Sequence, residues 1–196
     1  MLTLILAILL WGVVHSILAS TRFKDLFRHT LGDGSMKFYR LFYNIFAVIS
    51  ILPALYLMLT LPDRALYQVP GPFNFMMRMG QLISVLFLLA AVSQTDLLSF
   101  VGLRQLFEEE KSGALITSGL YHYVRHPLYT FSLLILWLSP NMSVNSFVVY
   151  AGLTIYILVG IVFEERKLVK VFGKEYEEYR SSTPMLFPGI RLNWNK

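Results

Sequence analysis

"VRHPLYTFSLLILWLSPNMSVNSFVVYAGLTIYILVGIVFEERK", residues 124–167, decides the fold. Between Pro127 and Phe163 lie 37 residues without a charged side chain, bounded by Arg125-His126 on one side and Glu164-Glu165 on the other. As one helix this run would reach about 55 Å, well beyond a hydrocarbon core of about 30 Å. Its middle holds Ser139-Pro140-Asn141-Met142-Ser143, residue types that reverse a chain. The run therefore reads as two helices, 127–139 and 144–163, folded back as a hairpin. Such a hairpin returns Glu164 to the side from which Pro127 departs.

Outward from this stretch the chain stays apolar: 56% of its 196 residues are hydrophobic and 15% charged, against roughly 25% charged in soluble domains. Three further uncharged runs predict helices over about 2–20, 41–61 and 78–96. The expectation is an all-α integral membrane protein, a single domain over 1–196. It has about five transmembrane helices, the last two a hairpin. The fourth is short for a full crossing and either recruits residues beyond the turn or stops inside the membrane. A linker, 97–126, and a tail, 164–196, form the cytoplasmic part. The first run lacks a preceding basic region and is followed by Arg22, Lys24 and Arg28, which favours a retained helix over a cleaved signal.

Basic residues near helix ends are held in the cytoplasm. Five alternating crossings put 15 of the 17 Lys and Arg on one side, leaving Arg64 and Arg78 on the other. The N-terminus is then outside and the C-terminus cytoplasmic, in a membrane such as the bacterial inner membrane. The formal charge of +5 finds its partner in anionic lipid, not nucleic acid. Cysteine is absent, which removes thiolate nucleophiles, cysteine zinc sites and iron-sulfur clusters.

In the tail, Leu168, Val171, Phe172, Tyr176 and Tyr179 recur at helical spacing opposite Lys170, Lys174, Glu175 and Glu178, the pattern of an amphipathic cap at an interface. Gly173 interrupts it, so one helix or two fit equally. "STPMLFPGI", 182–190, reads as a return strand or lid because its two prolines exclude regular helix.

Candidate site residues gather at the mouth of the hairpin. Gly119, Tyr121, His122, Tyr123, Arg125, His126, Pro127 and Tyr129 fall within eleven residues. Proline suits a first helical turn, so Pro127 alone marks a helix start with His126 as its cap. The surrounding donors point further, to an anion at that helix N-terminus. Glu164-Glu165 alone reads as a solvated boundary pair. Ionisable groups at membrane depth or its edge, however, commonly face the protein interior and serve function. Opposite charges converging on one cleft suit a zwitterion. His15 reads as a core or interface residue bonded to a neighbouring helix. His122 and His126 share the i, i+4 spacing of metal ligands, but Pro127 disfavours helix at His126, so no metal is expected.

"LITSGLYHYVRHPLYT" followed by the apolar hairpin and "FEERKLVKVFGKEYEEYRSSTPMLFP" resembles the isoprenylcysteine carboxyl methyltransferase and phospholipid methyltransferase superfamily. The shared pattern is Gly-x-Tyr-x-x-x-Arg-His-Pro-x-Tyr, then Glu-Glu-x-x-Leu-x-x-x-Phe-Gly-x-x-Tyr-x-x-Tyr and Phe-Pro. It covers about the last 80 residues. In the N-terminal half, His15-Ser16 and Tyr39-Arg40-Leu41-Phe42-Tyr43 are similar to NnrU membrane proteins and bacterial methanethiol S-methyltransferases.

The resemblance implies S-adenosylmethionine held on the cytoplasmic side between the last two helices and the tail, with a lipophilic or small membrane-permeant acceptor entering from the bilayer. That acceptor is a carboxylate, thiol or amine. Gly119, Tyr121, His122, Arg125, His126, Pro127, Tyr129, Glu164 and Glu165 are then the cofactor-binding candidates, and Arg125, His126 and Tyr129 the catalytic ones. Arg125 suits the cofactor carboxylate, and a Glu its ammonium or ribose hydroxyls. A thiol acceptor would also need a base or nearby cation, for which His126, His15 and Arg40 are candidates. Steroid and sterol reductases share Arg-His-Pro-x-Tyr and use NADPH, but commonly carry Asn where this chain has Leu128. A non-catalytic accessory protein is the third reading.

Overall fold

The computed structural model describes residues 1–107 and 114–189. The acidic run Glu108-Glu109-Glu110-Lys111 and the tail residues Arg191 and Lys196 lie outside them. Among the described residues four helices are long and apolar enough to cross a membrane: α1 (Leu2–Ala19), α3 (Met36–Thr60), α4 (Gly71–Gln94) and α8 (Val144–Phe172). Between them lie α2 (Thr21–Leu31), α5 (Leu97–Val101), α6 (Leu120–Tyr123) and α7 (Pro127–Trp137), with α9 (Lys174–Ser182) after α8. Two short strands, β1 (Ala65–Gln68) and β2 (Asn141–Ser143), pair, an addition to the all-helical expectation.

The helix bounds depart from the sequence reading where a charged residue was taken as an end. α3 begins at Met36, not 41, and carries Lys37 and Arg40 within it. α4 begins at Gly71, not 78, because Pro72 opens its first turn. Arg78 then sits inside the helix and bonds Asn74 one turn back at 2.8 Å. α8 continues past Phe163 to Phe172 and carries Glu164 and Glu165 on helix. Gly173, with φ +57, separates it from α9, so the tail forms two helical pieces. Residues 183–189, after α9, are irregular, neither strand nor helix.

The described residues form two compact units, between which the sequence offers no visible boundary. The first comprises residues 1–66, 96–107 and 143–153. Leu4 and Ile8 of α1 pack there with Ala54 of α3 and Val149 of α8. Gly152 permits the approach, since a Cβ at that position would stand 2.6 Å from Ile8. His15 Nδ1 lies 3.0 Å from the Tyr43 hydroxyl, and the Trp11 ring stacks on the imidazole at 5.1 Å. This is the inter-helix bond expected of His15. Arg40 donates to the Ser99 carbonyl and Asn44 to that of Val101, both at 2.8 Å, which ties α3 to α5. At the start of α8, the Asp63 carboxylate accepts from the Asn145 N–H at 3.0 Å, a favourable place for an anion.

The second unit comprises 67–95, 114–142 and 154–189. Here α7 lies antiparallel along α4. Gly80 meets Leu138, Gln81 donates to the Ile135 carbonyl at 2.8 Å, Phe87 stacks on Phe131 at 5.1 Å, and Gln94 accepts from the Leu120 N–H at 2.9 Å. The chain reverses at 138–143, and α7 also runs beside α8, as the hairpin expects: the Trp137 indole N–H donates to the Thr154 hydroxyl at 2.9 Å, and Leu133 packs with Ile161. Met185 and Leu186 of the tail pack together with Leu133 of α7 and Ile161 of α8. With 11 residues, α7 reaches about 16 Å. It is too short to cross alone.

Candidate functional site

Site residues come from four stretches of the second unit. Val124 is extended (φ −146, ψ 144) and buried, so α6 ends before α7 begins. His126 caps α7 with φ −124 and ψ 63, and Pro127 opens the helix, as the proline rule requires. The tail then closes on this corner. Arg125 N–H donates to the Pro184 carbonyl at 2.9 Å and His126 N–H to that of Met185 at 3.1 Å. The Thr130 hydroxyl, one turn into α7, donates to the Leu186 carbonyl at 2.6 Å. Backbone groups of a tight corner are thus satisfied by a segment about 60 residues later in the chain.

The Arg125 guanidinium uses four of its five N–H groups inside the protein. Nε and Nη2 reach the two Glu165 oxygens at 2.9 and 3.1 Å, a fork-to-carboxylate pair. Nη1 donates to the Arg180 and Thr183 carbonyls at 3.1 and 2.6 Å. Those carbonyls lie at the C-terminal end of α9, where a cation is favourable and carbonyls lack helical partners. Arg125, read from the sequence as a donor to a ligand carboxylate, meets its carboxylate in Glu165.

Glu165 is saturated. Besides Arg125 it accepts from His126 Nε2 and from the Tyr176 hydroxyl, both at 2.7 Å. With a carboxylate as partner Nε2 carries the proton, and Nδ1 turns toward Glu164. Glu164 differs from its neighbour because adjacent helical residues point about 100° apart. Its side chain is 42% exposed, with Oε2 at 3.8 Å from His126 Nδ1, beyond hydrogen-bond distance. That oxygen is itself buried and has no hydrogen-bond partner among the described residues. Burial pushes the Tyr121 phenol up to about 12, and the negative charge of Glu164 adds to the effect.

The remaining candidates divide. Tyr129 tilts against His126 with ring centroids 5.7 Å apart and packs on the Leu133–Ile161 cluster. Gly119, at φ +63, starts α6, and a Cβ there would stand 2.3 Å from Gln94 Oε1, the atom that accepts from Leu120 N–H. His122 is exposed and edge-on to Tyr123. The corner therefore brings together Tyr121, Arg125, His126, Tyr129, Glu164 and Glu165, whereas His122 faces outward. Three participants were not singled out in the sequence. Tyr176 and Tyr179 belong to the apolar stripe and to the Phe-Gly-x-x-Tyr-x-x-Tyr pattern without a site role, yet Tyr176 bonds Glu165 and the Tyr179 hydroxyl donates to the Tyr121 carbonyl. Burial raises both phenols, with the Glu165 bond adding to the effect at Tyr176. Gln94 carries no motif at all.

An apolar helical protein with a buried Arg-His-Glu-Tyr corner, closed by its own tail, defines a class of membrane proteins more than a single reaction. The chain belongs to the NnrU family, whose model, described as "NnrU protein", matches residues 3–190. It is 30% identical over 197 residues to methanethiol S-methyltransferase 1 of Bradyrhizobium diazoefficiens, covering 95% of this chain and 66% of that protein. It is 47% identical over 94 residues to methanethiol S-methyltransferase of Crocosphaera subtropica, covering 45% of this chain and 37% of that protein. A third relative is the protein-S-isoprenylcysteine O-methyltransferase of Schizosaccharomyces pombe, 36% identical over 87 residues, or 42% of this chain and 36% of that protein. The chain spans at most 66% of the length of these relatives. No solved structure matches it.

Proposed function

We propose that this chain is an integral membrane methyltransferase that uses S-adenosylmethionine and passes its methyl group to a small or lipophilic acceptor, with a thiol the foremost candidate. The carrying observation is Glu164 Oε2, a buried acceptor without a hydrogen-bond partner among the described residues. It stands beside a histidine and a tyrosine in a corner otherwise saturated. The donor set fits: Glu164 suits an ammonium or a ribose hydroxyl, and the remaining Arg125 N–H a carboxylate. Tyr121 and Tyr129 offer aromatic faces to a cation. The names of the relatives support the reaction class.

Within that reading Arg125, Glu165 and Tyr176 hold the corner in shape. His126 donates through Nε2 to Glu165 and presents Nδ1 alongside Glu164. S-adenosylmethionine, when bound, supplies a methyl group on a cationic sulfur. Transfer to an anionic acceptor neutralises both charges, so residues that exclude water favour it over the separated ions. The apolar cluster of Leu133, Ile161, Met185 and Leu186 serves that exclusion. A thiol acceptor must first lose its proton, and His126 Nδ1 would take it as the base.

The proposal includes five crossings, the fourth made of α7 with its irregular flanks lying along α4. It also places the basic linker and tail in the cytoplasm and the N-terminus outside. Its test is incubation of the purified protein with methyl-labelled S-adenosylmethionine and methanethiol, and separately with a membrane extract. Labelled dimethyl sulfide supports a thiol acceptor, and label in an extracted lipid or protein supports a lipophilic one. Label in neither overturns the methyltransferase reading.

A further inference from the structure

Helix α2 takes no part in this corner, yet its sequence gives it two faces. At about 100° per residue, Phe23, Leu26, Phe27 and Leu31 occupy one arc, Asp25, Arg28 and His29 the other. Arg22 and Lys24 flank the apolar arc, one on each side. Half of that arc is used internally: the Phe23 and Phe27 rings lie 6.5 and 5.0 Å from Tyr39, which is buried. The other half is open, with Leu26 and Leu31 each 60% exposed.

The setting limits what can cover it. α2 lies between two helices of membrane length: residues 32–35 lead on to α3, and Ser20 alone separates it from α1, its extended backbone turning the chain and its hydroxyl accepting from Phe23 N–H at 3.2 Å. Ile17 before it and Phe38 and Phe42 after it are exposed as well. The charge beside that surface is cationic: Arg22, Arg28 and Lys37 are exposed, with Lys24 over the Tyr39 ring at 5.9 Å. Of the two carboxylates in this stretch, Asp33 lies 3.4 Å from Arg28.

We infer that α2 lies in the plane of the membrane interface, with Leu26 and Leu31 at the acyl boundary and Arg22 and Lys24 directed to anionic phospholipid headgroups. An apolar arc flanked by cations is the arrangement such helices use, since long basic side chains cover apolar surface while their heads reach phosphate. Continuity with two membrane-length helices selects lipid over a protein partner.

Because the chain has no cysteine, single Leu26→Cys and Asp25→Cys variants of the full chain can each carry one environment-sensitive fluorophore. They are reconstituted in phosphatidylcholine vesicles, with and without phosphatidylglycerol. The label replacing Leu26 should be quenched by lipids brominated in the acyl chain and shielded from aqueous iodide, with the reverse for Asp25. Equal iodide quenching at both positions would overturn the interfacial placement. Shielding of the Leu26 position from both quenchers would do so too, since a protein surface would then cover it. Preference for spin-labelled phosphatidylglycerol over phosphatidylcholine should fall in the Arg22→Gln, Lys24→Gln double variant, by up to about fivefold for each charge removed. The Arg78→Gln variant should keep the parent preference. An unchanged preference in the double variant would overturn the assignment of anionic lipid.

Discussion

Two adjacent glutamates do different work because one helical step separates their directions. Glu165 is 12% exposed and holds Arg125, 7% exposed, in a two-pronged pair. Removing one partner of such a pair leaves the other charge buried and costs about 3 kcal/mol or more. Glu165→Gln should therefore lower the thermal unfolding midpoint in detergent clearly, whereas Glu164→Gln should leave it near the parent value. Equal effects would contradict the division of roles. The tyrosines around the pair add a signature at alkaline pH. In an unfolded chain tyrosine ionises near pH 10, while Tyr121 is pushed up to about 12 and Tyr176 and Tyr179 are raised as well. A group whose pKa rises on folding contributes stability fully below its unfolded value and loses it as pH climbs through the folded one. The unfolding midpoint should thus hold steady up to about pH 10 and fall above it. The Tyr121→Phe variant should show a shallower fall.

At the scale of elements, the start of α6 depends on Gly119, whose positive φ and closeness to Gln94 both exclude a side chain. Gly119→Ala should cost about 1–3 kcal/mol, read as a lower unfolding midpoint, and should weaken ligand binding by displacing Tyr121. A midpoint equal to the parent's would show that Gln94 yields without cost. The elements legible in sequence were those with local signals. Pro127 fixed the start of α7 and the 139–143 cluster fixed the reversal, whereas Gly173 left one helix or two equally open and the structure has two. α4 was read too short because Arg78 was taken as a membrane boundary, although one arginine bonded back to Asn74 sits inside the helix. α2 fell between the predicted helices 2–20 and 41–61, because its charges masked an apolar arc only two turns long. The tail was least legible. Its bonds to Arg125, His126 and Thr130 run through backbone carbonyls far along the chain, and such pairings have no residue signature.

At the scale of the whole molecule, the apolar surface is that of a protein solvated by lipid: Leu10, Leu52, Leu59, Phe75, Leu86 and Ile155 are all more than half exposed along four membrane-length helices. The candidate site was legible in part. The Arg-His-Pro-x-Tyr and Glu-Glu blocks marked residues that meet in one corner, because the chain reversal between them brings the two ends together. The sequence could not tell which carboxylate pairs with Arg125, since that depends on helix phase and on a tail that covers the pair. The account rests on Glu164 facing a ligand while Glu165 holds the frame. Calorimetry of S-adenosylhomocysteine with the purified parent protein and its Glu164→Gln variant tests this most directly. The account predicts saturable binding to the parent and an affinity lower by about tenfold or more in the variant, as expected on losing a charged hydrogen bond, with the unfolding midpoint unchanged. Parent-like affinity in the variant, or no binding to the parent, would contradict it.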